Sequence, residues 1–203
     1  MFFKYTNDSD SLKSIVDDAD AIIRWAILEK LIVKKEGSFV EEFLLQFLKG
    51  NINNEEKGKA SEILVSLQNI QGLKVYVEWV KQNIKNNIKT SHIQCLYSLN
   101  LLESIPYLID LLEFSYLENT KVDHFRYLNS HILEVFSKIA LISHDNFIIV
   151  RDSLQKFMDE KTAINESVKY IIQSIERIED QFYMSNAQSF NINEVKEKLE
   201  LIK

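Results

Sequence analysis

Glycine and proline, which form many of the turns between β-strands, are scarce in this chain. Its 203 residues include four glycines and one proline. A fold of many strands needs glycine, asparagine and aspartate at close intervals in its hairpins, so this supply of turn residues excludes a many-stranded β protein. The apolar residues instead recur at helical spacing between polar clusters, which predicts an all-α protein with about nine or ten helices.

Cysteine and long apolar runs are also scarce. Cys95 is the single cysteine, so no internal disulfide can form, which favours a reducing compartment. The start MFFKYTNDSDS turns polar after three residues, and no later run approaches the ~18 apolar residues of a membrane span. We therefore expect a cytoplasmic protein that does not contact a membrane.

The charge balance is acidic. The chain has 30 aspartates and glutamates against 24 lysines and arginines, a net charge of -6. This charge repels a phosphate backbone at long range, so nucleic acid is an unfavoured partner. A second protein with a basic surface is the favoured one, and the sequence predicts no oligomeric state.

A pattern of one helix, a short turn and a second helix recurs along the chain. A shift of 32 residues superimposes 64–80 on 96–112, and shifts of 36 and 40 extend the pattern to either side. Polar positions match as well, because Glu42, Glu78 and Asp110 share one column. Helical pairs of this length cannot bury their apolar faces alone, so they stack into a solenoid.

The stretch SLNLLESIPYLIDLLE, residues 98–113, resembles the HEAT-type repeat. Pro106 matches the proline of the second helix, where the first turn has amide groups without intrahelical partners. Other units have Lys74 or Asn146 at that position, and the resemblance covers residues 20–160 in outline. It implies a right-handed α-solenoid of stacked antiparallel helical hairpins that binds proteins or, less often, nucleic acid, without a catalytic residue.

The repeat pattern predicts a single domain over residues 1–203. Residues 1–19 form its N-terminal cap region, and 185–203 form a loop and a last helix that covers the other end of the core. Asn191 and Glu194 approach a capping box at the start of that helix.

The column of Glu42, Glu78 and Asp110 is the predicted binding site. The second helices of a solenoid line its concave surface, where three carboxylates would form an acidic ladder for a basic partner. Tyr107 and Phe114, seven residues apart, would lie beside it as an exposed aromatic pair. The alternatives are a solvated helix face for the carboxylates and a core position for the aromatics. The predicted function is a non-enzymatic protein-binding module: an adaptor, a scaffold or an immunity-like inhibitor.

Two groups of residues invite a catalytic or metal-binding interpretation. Cys95 follows His92 near a helix start, but its column holds apolar residues elsewhere, which favours a core thiol over a nucleophile. His124, His131 and Glu134 fall roughly on one helix face, but no second cluster at ligand spacing supports a metal. We expect no catalytic residue, no metal and no cofactor.

An enzymatic alternative is a HEAT-like DNA glycosylase. Such an enzyme needs a basic groove with aromatic residues and a carboxylate near the damaged base. Lys81, Lys85 and Lys89 form a basic row, and Trp25 and Trp79 are the available large aromatics. Trp79 falls in a core column of the repeat, which weakens this alternative.

Overall fold

The computed structural model of the chain describes residues 8–83, 90–117, 123–160 and 173–184. Within these ranges every regular element is helical, so the all-α prediction is confirmed. The α-helices are α1 Ser9–Ile15, α2 Ala21–Val33, α3 Gly37–Phe47, α4 Asn54–Ser66, α5 Ile70–Asn83, α6 Thr90–Ile93, α7 Ile105–Leu117, α8 Asp123–Ala140 and α9 His144–Glu160. Two short 3₁₀ segments, Gln94–Ser98 and Leu102–Ser104, precede α7, and residues 173–184 are helical too.

The helices group into two compact units, Met1–Tyr76 and Val77–Lys203, with the boundary inside α5. The single solenoid over 1–203 stays a prediction. Residues 1–7 of the expected N-terminal cap and the whole of 185–203 lie outside the described residues. None of the helices that the structure describes is both long enough and apolar enough to span a membrane.

Side-chain caps start three helices of the first unit. The Asp8 carboxylate accepts a hydrogen bond from the Ser11 amide at 3.0 Å before α1, and the Asp20 carboxylate accepts one from the Ile23 amide at 3.0 Å before α2. Asn53 and Glu56 form a reciprocal capping box at the start of α4. These bonds satisfy amide groups that have no partner within the helix, so the starts of α1, α2 and α4 follow from local sequence.

Two turns of the first unit have the same backbone geometry. Lys35 after α2 and Gln68 after α4 have φ angles of 66° and 67°. The amide that follows each one donates to the carbonyl of Leu31 at 3.0 Å or of Leu64 at 2.9 Å, which closes a Schellman turn in both places. Gln68 stands 33 positions after Lys35. The turns therefore set an offset of 33 for the first two hairpins, where the apolar pattern alone predicted 36.

Helix α4 approaches α5 closely where Leu64 meets Gly72 in the first unit. Asn69, between them, accepts the Gly72 amide at 2.7 Å and donates through its side chain to Glu41 on α3. The core of this unit includes a cluster of buried aliphatic side chains, Leu12, Val16, Ile27, Leu28, Leu31, Val40, Leu44, Ala60, Ile63 and Leu64.

In the second unit α8 packs against α7, α9 and the 3₁₀ segment Gln94–Ser98. The buried residues of this second unit include Leu96, Leu108, Leu112, Leu128, Ile132, Phe136, Ile139, Val150 and Leu154. Pro106 is the second residue of α7, inside the first turn, where its missing amide proton costs no intrahelical bond.

Candidate functional site

A surface groove lies along α1 and α3 in the first unit. Its volume is about 520 Å³, within the range of sites that hold a ligand or a peptide side chain. It is lined by Lys13, Val16, Asp17, Phe39, Glu42, Phe43, Gln46 and Phe47. The groove thus combines an apolar floor with charged groups, and one of those groups is the predicted site residue Glu42.

Three phenylalanines form a ladder along α3. The ring centroids of Phe39 and Phe43 are 6.3 Å apart and those of Phe43 and Phe47 are 6.1 Å apart. The interplanar angles are 24° and 16°, so the three rings are nearly parallel. All three are half-buried, whereas their neighbours Val40 and Leu44 are buried completely.

This phenylalanine ladder is a candidate functional feature that the sequence pattern did not reveal. The apolar periodicity places the phenylalanines in one inward stripe with Leu44, but the structure divides that stripe. Leu44 is buried in the core, whereas the phenylalanines pack against that core with part of each ring lining the groove. The sequence did contain a signal for this row. Phenylalanine recurs at every fourth position, 39, 43 and 47, beside the aliphatic pair Val40 and Leu44, and positions four apart form a row on one helix face.

Cations lie over both end rings of the ladder. The Lys13 ammonium is 5.4 Å from the centroid of Phe39, and the Arg24 guanidinium carbon is 4.9 Å from the centroid of Phe47. Both distances allow a cation–π interaction. Trp25 completes that end, because its ring meets Phe47 edge-on at 5.7 Å and 90°.

Arg24 also holds the loop between α1 and α2. Its guanidinium donates to the carbonyls of Val16, Asp17 and Ala19 at 3.4, 3.3 and 2.9 Å. Glu56 pairs with the same guanidinium at 3.6 Å. These contacts hold the backbone at Asp17, which forms one wall of the groove.

The charges in the groove differ in whether they are paired. The Lys13 ammonium lies 2.7 Å from the Glu36 carboxylate. This hydrogen bond raises the pKa of Lys13 and lowers the pKa of Glu36, so both groups stay charged near neutral pH. Asp17 and Glu42 are exposed, and neither carboxylate takes part in an ion pair within the described parts of the chain.

The other two carboxylates of the predicted acidic ladder, Glu78 and Asp110, lie in the second unit. The Lys81 ammonium lies 2.6 Å from Asp110 and 3.8 Å from Glu78, so one cation serves both carboxylates. Counted from the first residue of each helix, Glu42 and Asp110 are both sixth and Glu78 is ninth. Positions three apart share a helix face, so the column is shifted by one turn at Glu78. The acidic ladder of Glu42, Glu78 and Asp110 stays a prediction.

Tyr107 and Phe114 lie on α7 in the second unit. Both side chains are half-buried. Each ring therefore contributes to the packing around α7 and keeps part of its surface in solvent, between the two alternatives that the sequence left open.

The surroundings of Cys95 favour a structural thiol. Its Sγ lies 3.2 Å from the carbonyl oxygen of His92, while the His92 imidazole stacks on Trp79 at 5.4 Å and 5°. Cys95 is half-buried, so its predicted place in the core is reached only in part. The thiol donates to main chain, and the imidazole faces an aromatic ring.

His131 is buried between two tyrosines. Its ring lies 4.4 Å from that of Tyr97 and 4.8 Å from that of Tyr127, and its Nδ1 is 2.8 Å from the Tyr127 carbonyl. Glu134 accepts a hydrogen bond from the Tyr97 hydroxyl at 3.0 Å. The described residues contain no group of histidine, cysteine and carboxylate side chains able to hold a metal. The side chain of His124 lies outside the described residues.

The residues named for the glycosylase alternative are partly engaged elsewhere. Trp79 is buried against His92, and Trp25 packs on Phe47. Lys81 pairs with Asp110, and Lys85 and Lys89 lie outside the described residues. The glycosylase alternative stays a prediction, and the described residues give no basic groove that would support it.

No protein-family model, curated protein or solved structure matches this chain. Among the described residues, the side chains of the groove are the strongest indication of function.

Proposed function

We propose that this chain is a non-enzymatic protein-binding module, an adaptor, scaffold or immunity-like inhibitor, whose groove along α1 and α3 holds a segment of a partner protein with a basic surface. One observation carries the proposal. The half-exposed rings of Phe39, Phe43 and Phe47 lie beside two carboxylates, Asp17 and Glu42, that have no ion-pair partner among the described residues.

The three half-buried rings support binding because each keeps part of its apolar surface in the groove, in contact with water. Aromatic side chains are enriched in the centres of protein interfaces, where they carry a large share of the binding free energy. The ladder offers three such rings on one rigid helix, which lowers the entropy cost of forming a complex.

The charges support a basic partner. Lys13, the lysine of the lining, is already paired with Glu36, whereas Asp17 and Glu42 add negative charge to the rim. The chain as a whole has a net charge of -6. Local and overall charge therefore attract the same class of partner and accelerate the encounter at low salt.

The proposal is tested by isolating the partner and then measuring its affinity. The intact protein is used as bait in a lysate of its source, the captured protein is purified, and its dissociation constant is measured by calorimetry. We expect Phe43→Ser and Glu42→Lys each to weaken binding by about tenfold or more. Asp180→Lys, which reverses an exposed charge in the helical segment 173–184, is the control and should bind like the parent.

A second pair of substitutions decides between the two units. Glu78→Lys with Asp110→Lys changes the carboxylates around Lys81 and leaves the groove intact. If only this double variant loses the partner, the groove is not the site and binding belongs to the second unit. If all variants bind equally, the proposed function is wrong. Circular dichroism of each variant shows whether the helices are retained.

A further inference from the structure

The middle ring of the phenylalanine ladder differs from the two end rings. Lys13 lies over Phe39 and Arg24 lies over Phe47. Among the described residues no cationic group of the chain lies over Phe43. The phenylalanine ladder therefore has a cation of the chain at each end ring and, among the described residues, none at Phe43, whose half-buried ring lines the groove.

Carboxylates accompany this central ring. Glu42 on α3 and Asp17 at the end of α1 line the same groove as Phe43. Both are exposed, and neither forms an ion pair within the described residues. An incoming cation would thus meet an aromatic ring and up to two carboxylates in one groove. Lys13 does not compete for these carboxylates, because it is paired with Glu36.

We infer that the groove recognises an arginine side chain of the partner, whose guanidinium lies on Phe43 between Glu42 and Asp17. This inference rests on the proposed function and names the group that is bound. A guanidinium is planar, weakly hydrated and able to pair with a carboxylate through two parallel hydrogen bonds, so it suits a groove with flat rings and carboxylates. An ammonium is a compact, strongly hydrated charge and gains less from such a surface.

The size of the groove admits this guest. Its volume of about 520 Å³ holds one extended arginine and the apolar side chains next to it in the partner's sequence. The neighbouring positions Phe39 and Phe47 would contact those apolar side chains. Leucine on either side of the arginine therefore suits a test peptide.

The test uses the intact protein and three short peptides, acetyl-Ala-Leu-Xaa-Leu-Ala-amide, with arginine, citrulline or lysine at the central position. Citrulline has the shape of arginine without its charge. Binding is followed by two-dimensional NMR, which gives both the dissociation constant and the residues that contact the peptide. We expect the arginine peptide to bind about fivefold or more tightly than the other two, with signal changes at Asp17 and along α3.

Matched variants separate the two parts of the recognition. Glu42→Gln with Asp17→Asn should remove the preference for arginine over citrulline and leave citrulline binding unchanged. Phe43→Leu keeps an apolar side chain but removes the ring, and should reduce the same preference. Asp180→Asn, a neutralised carboxylate elsewhere on the surface, should keep it.

Three results would overturn the inference. Equal binding of the arginine and citrulline peptides would show that charge is not read, and equal binding of arginine and lysine would show that the guanidinium is not read. Signal changes outside the groove would place the site elsewhere. If Phe43→Ser still weakens binding of the purified partner but the peptides are not distinguished, only this inference is wrong. If every groove variant binds the partner like the parent, the proposed function is wrong as well.

Discussion

Gly72 on α5 packs so closely on Leu64 of α4 that a β-carbon at position 72 would overlap the β-carbon of Leu64. The atom in the way is the first carbon of the side chain, so it cannot move aside by a change of rotamer. The two helices can approach this closely only because residue 72 has no side chain, and φ at this glycine is not positive. Close packing, and not backbone conformation, requires glycine here.

Gly72→Ala should therefore destabilise the first unit. The added methyl group forces α4 and α5 apart, and overpacking of this kind costs about 1–3 kcal/mol. Urea unfolding followed by circular dichroism measures the loss. Gly37→Ala is the matched control, since a β-carbon there meets only Leu67 at 3.6 Å and alanine favours a helix by up to about 1 kcal/mol. Equal effects at both positions would contradict the packing argument.

Glu62 on α4 should make stability depend on pH. Burial raises the pKa of this carboxyl to about 7 from 4.5, against an opposing effect of Lys59. The folded chain then keeps a proton that the unfolded chain releases, so the free energy of unfolding falls as the pH rises from 4.5 through about 7. Its favourable contribution is complete below the lower value and lost above the higher one.

Glu62→Gln should remove this dependence. Glutamine has the same shape without the charge, so above pH 7 the variant should be more stable than the parent by about 1–2 kcal/mol, less than a fully buried carboxyl would give because the side chain is half-buried. Urea midpoints between pH 4 and pH 9 measure the profile. The control Glu55→Gln changes an exposed carboxyl of the same helix and should leave the slope in place. A Glu62→Gln profile as steep as that of the parent would contradict the assignment.

The ion pair between Lys81 and Asp110 should contribute little stability. Its atoms are 2.6 Å apart, but half of the Asp110 side chain is exposed, so water and salt screen the interaction. A double-mutant cycle with Lys81→Met and Asp110→Asn should give a coupling of about 0.2–1 kcal/mol that decreases in 1 M sodium chloride. A coupling that salt leaves unchanged would mean that the pair is shielded from solvent.

The capping box of α4 should be measurable on its own. Asn53 accepts the Glu56 amide at 2.9 Å, and Glu56 accepts the Asn53 amide at 3.3 Å. Asn53→Ala should lower the free energy of unfolding by about 1 kcal/mol, while Asn53→Asp should retain most of it. Asn51→Ala, at an exposed loop position before the helix, is the control. No loss at position 53 would show that the cap is dispensable.

The sequence by itself determined the helical class and several of the boundaries. Scarce glycine and proline and a helical apolar period leave no other class, and short polar side chains such as Asp20 and Asn53 start helices through bonds that span three residues. Pro106 also marks a helix start correctly, because the restriction it imposes on its own backbone is local. These features need no knowledge of what else the chain contacts.

Only the tertiary structure decided which parts of an apolar face stay open. Periodicity assigns Phe39, Phe43 and Leu44 to one face of α3, but the amount of that face covered by α1 and α2 depends on how those helices pack. The partner of a charge is equally non-local, since Lys81 joins Asp110 across 29 positions of sequence. Burial and ion pairing are decided between helices, whereas propensity and capping act within one, so the class could be predicted from the chain and the groove could not.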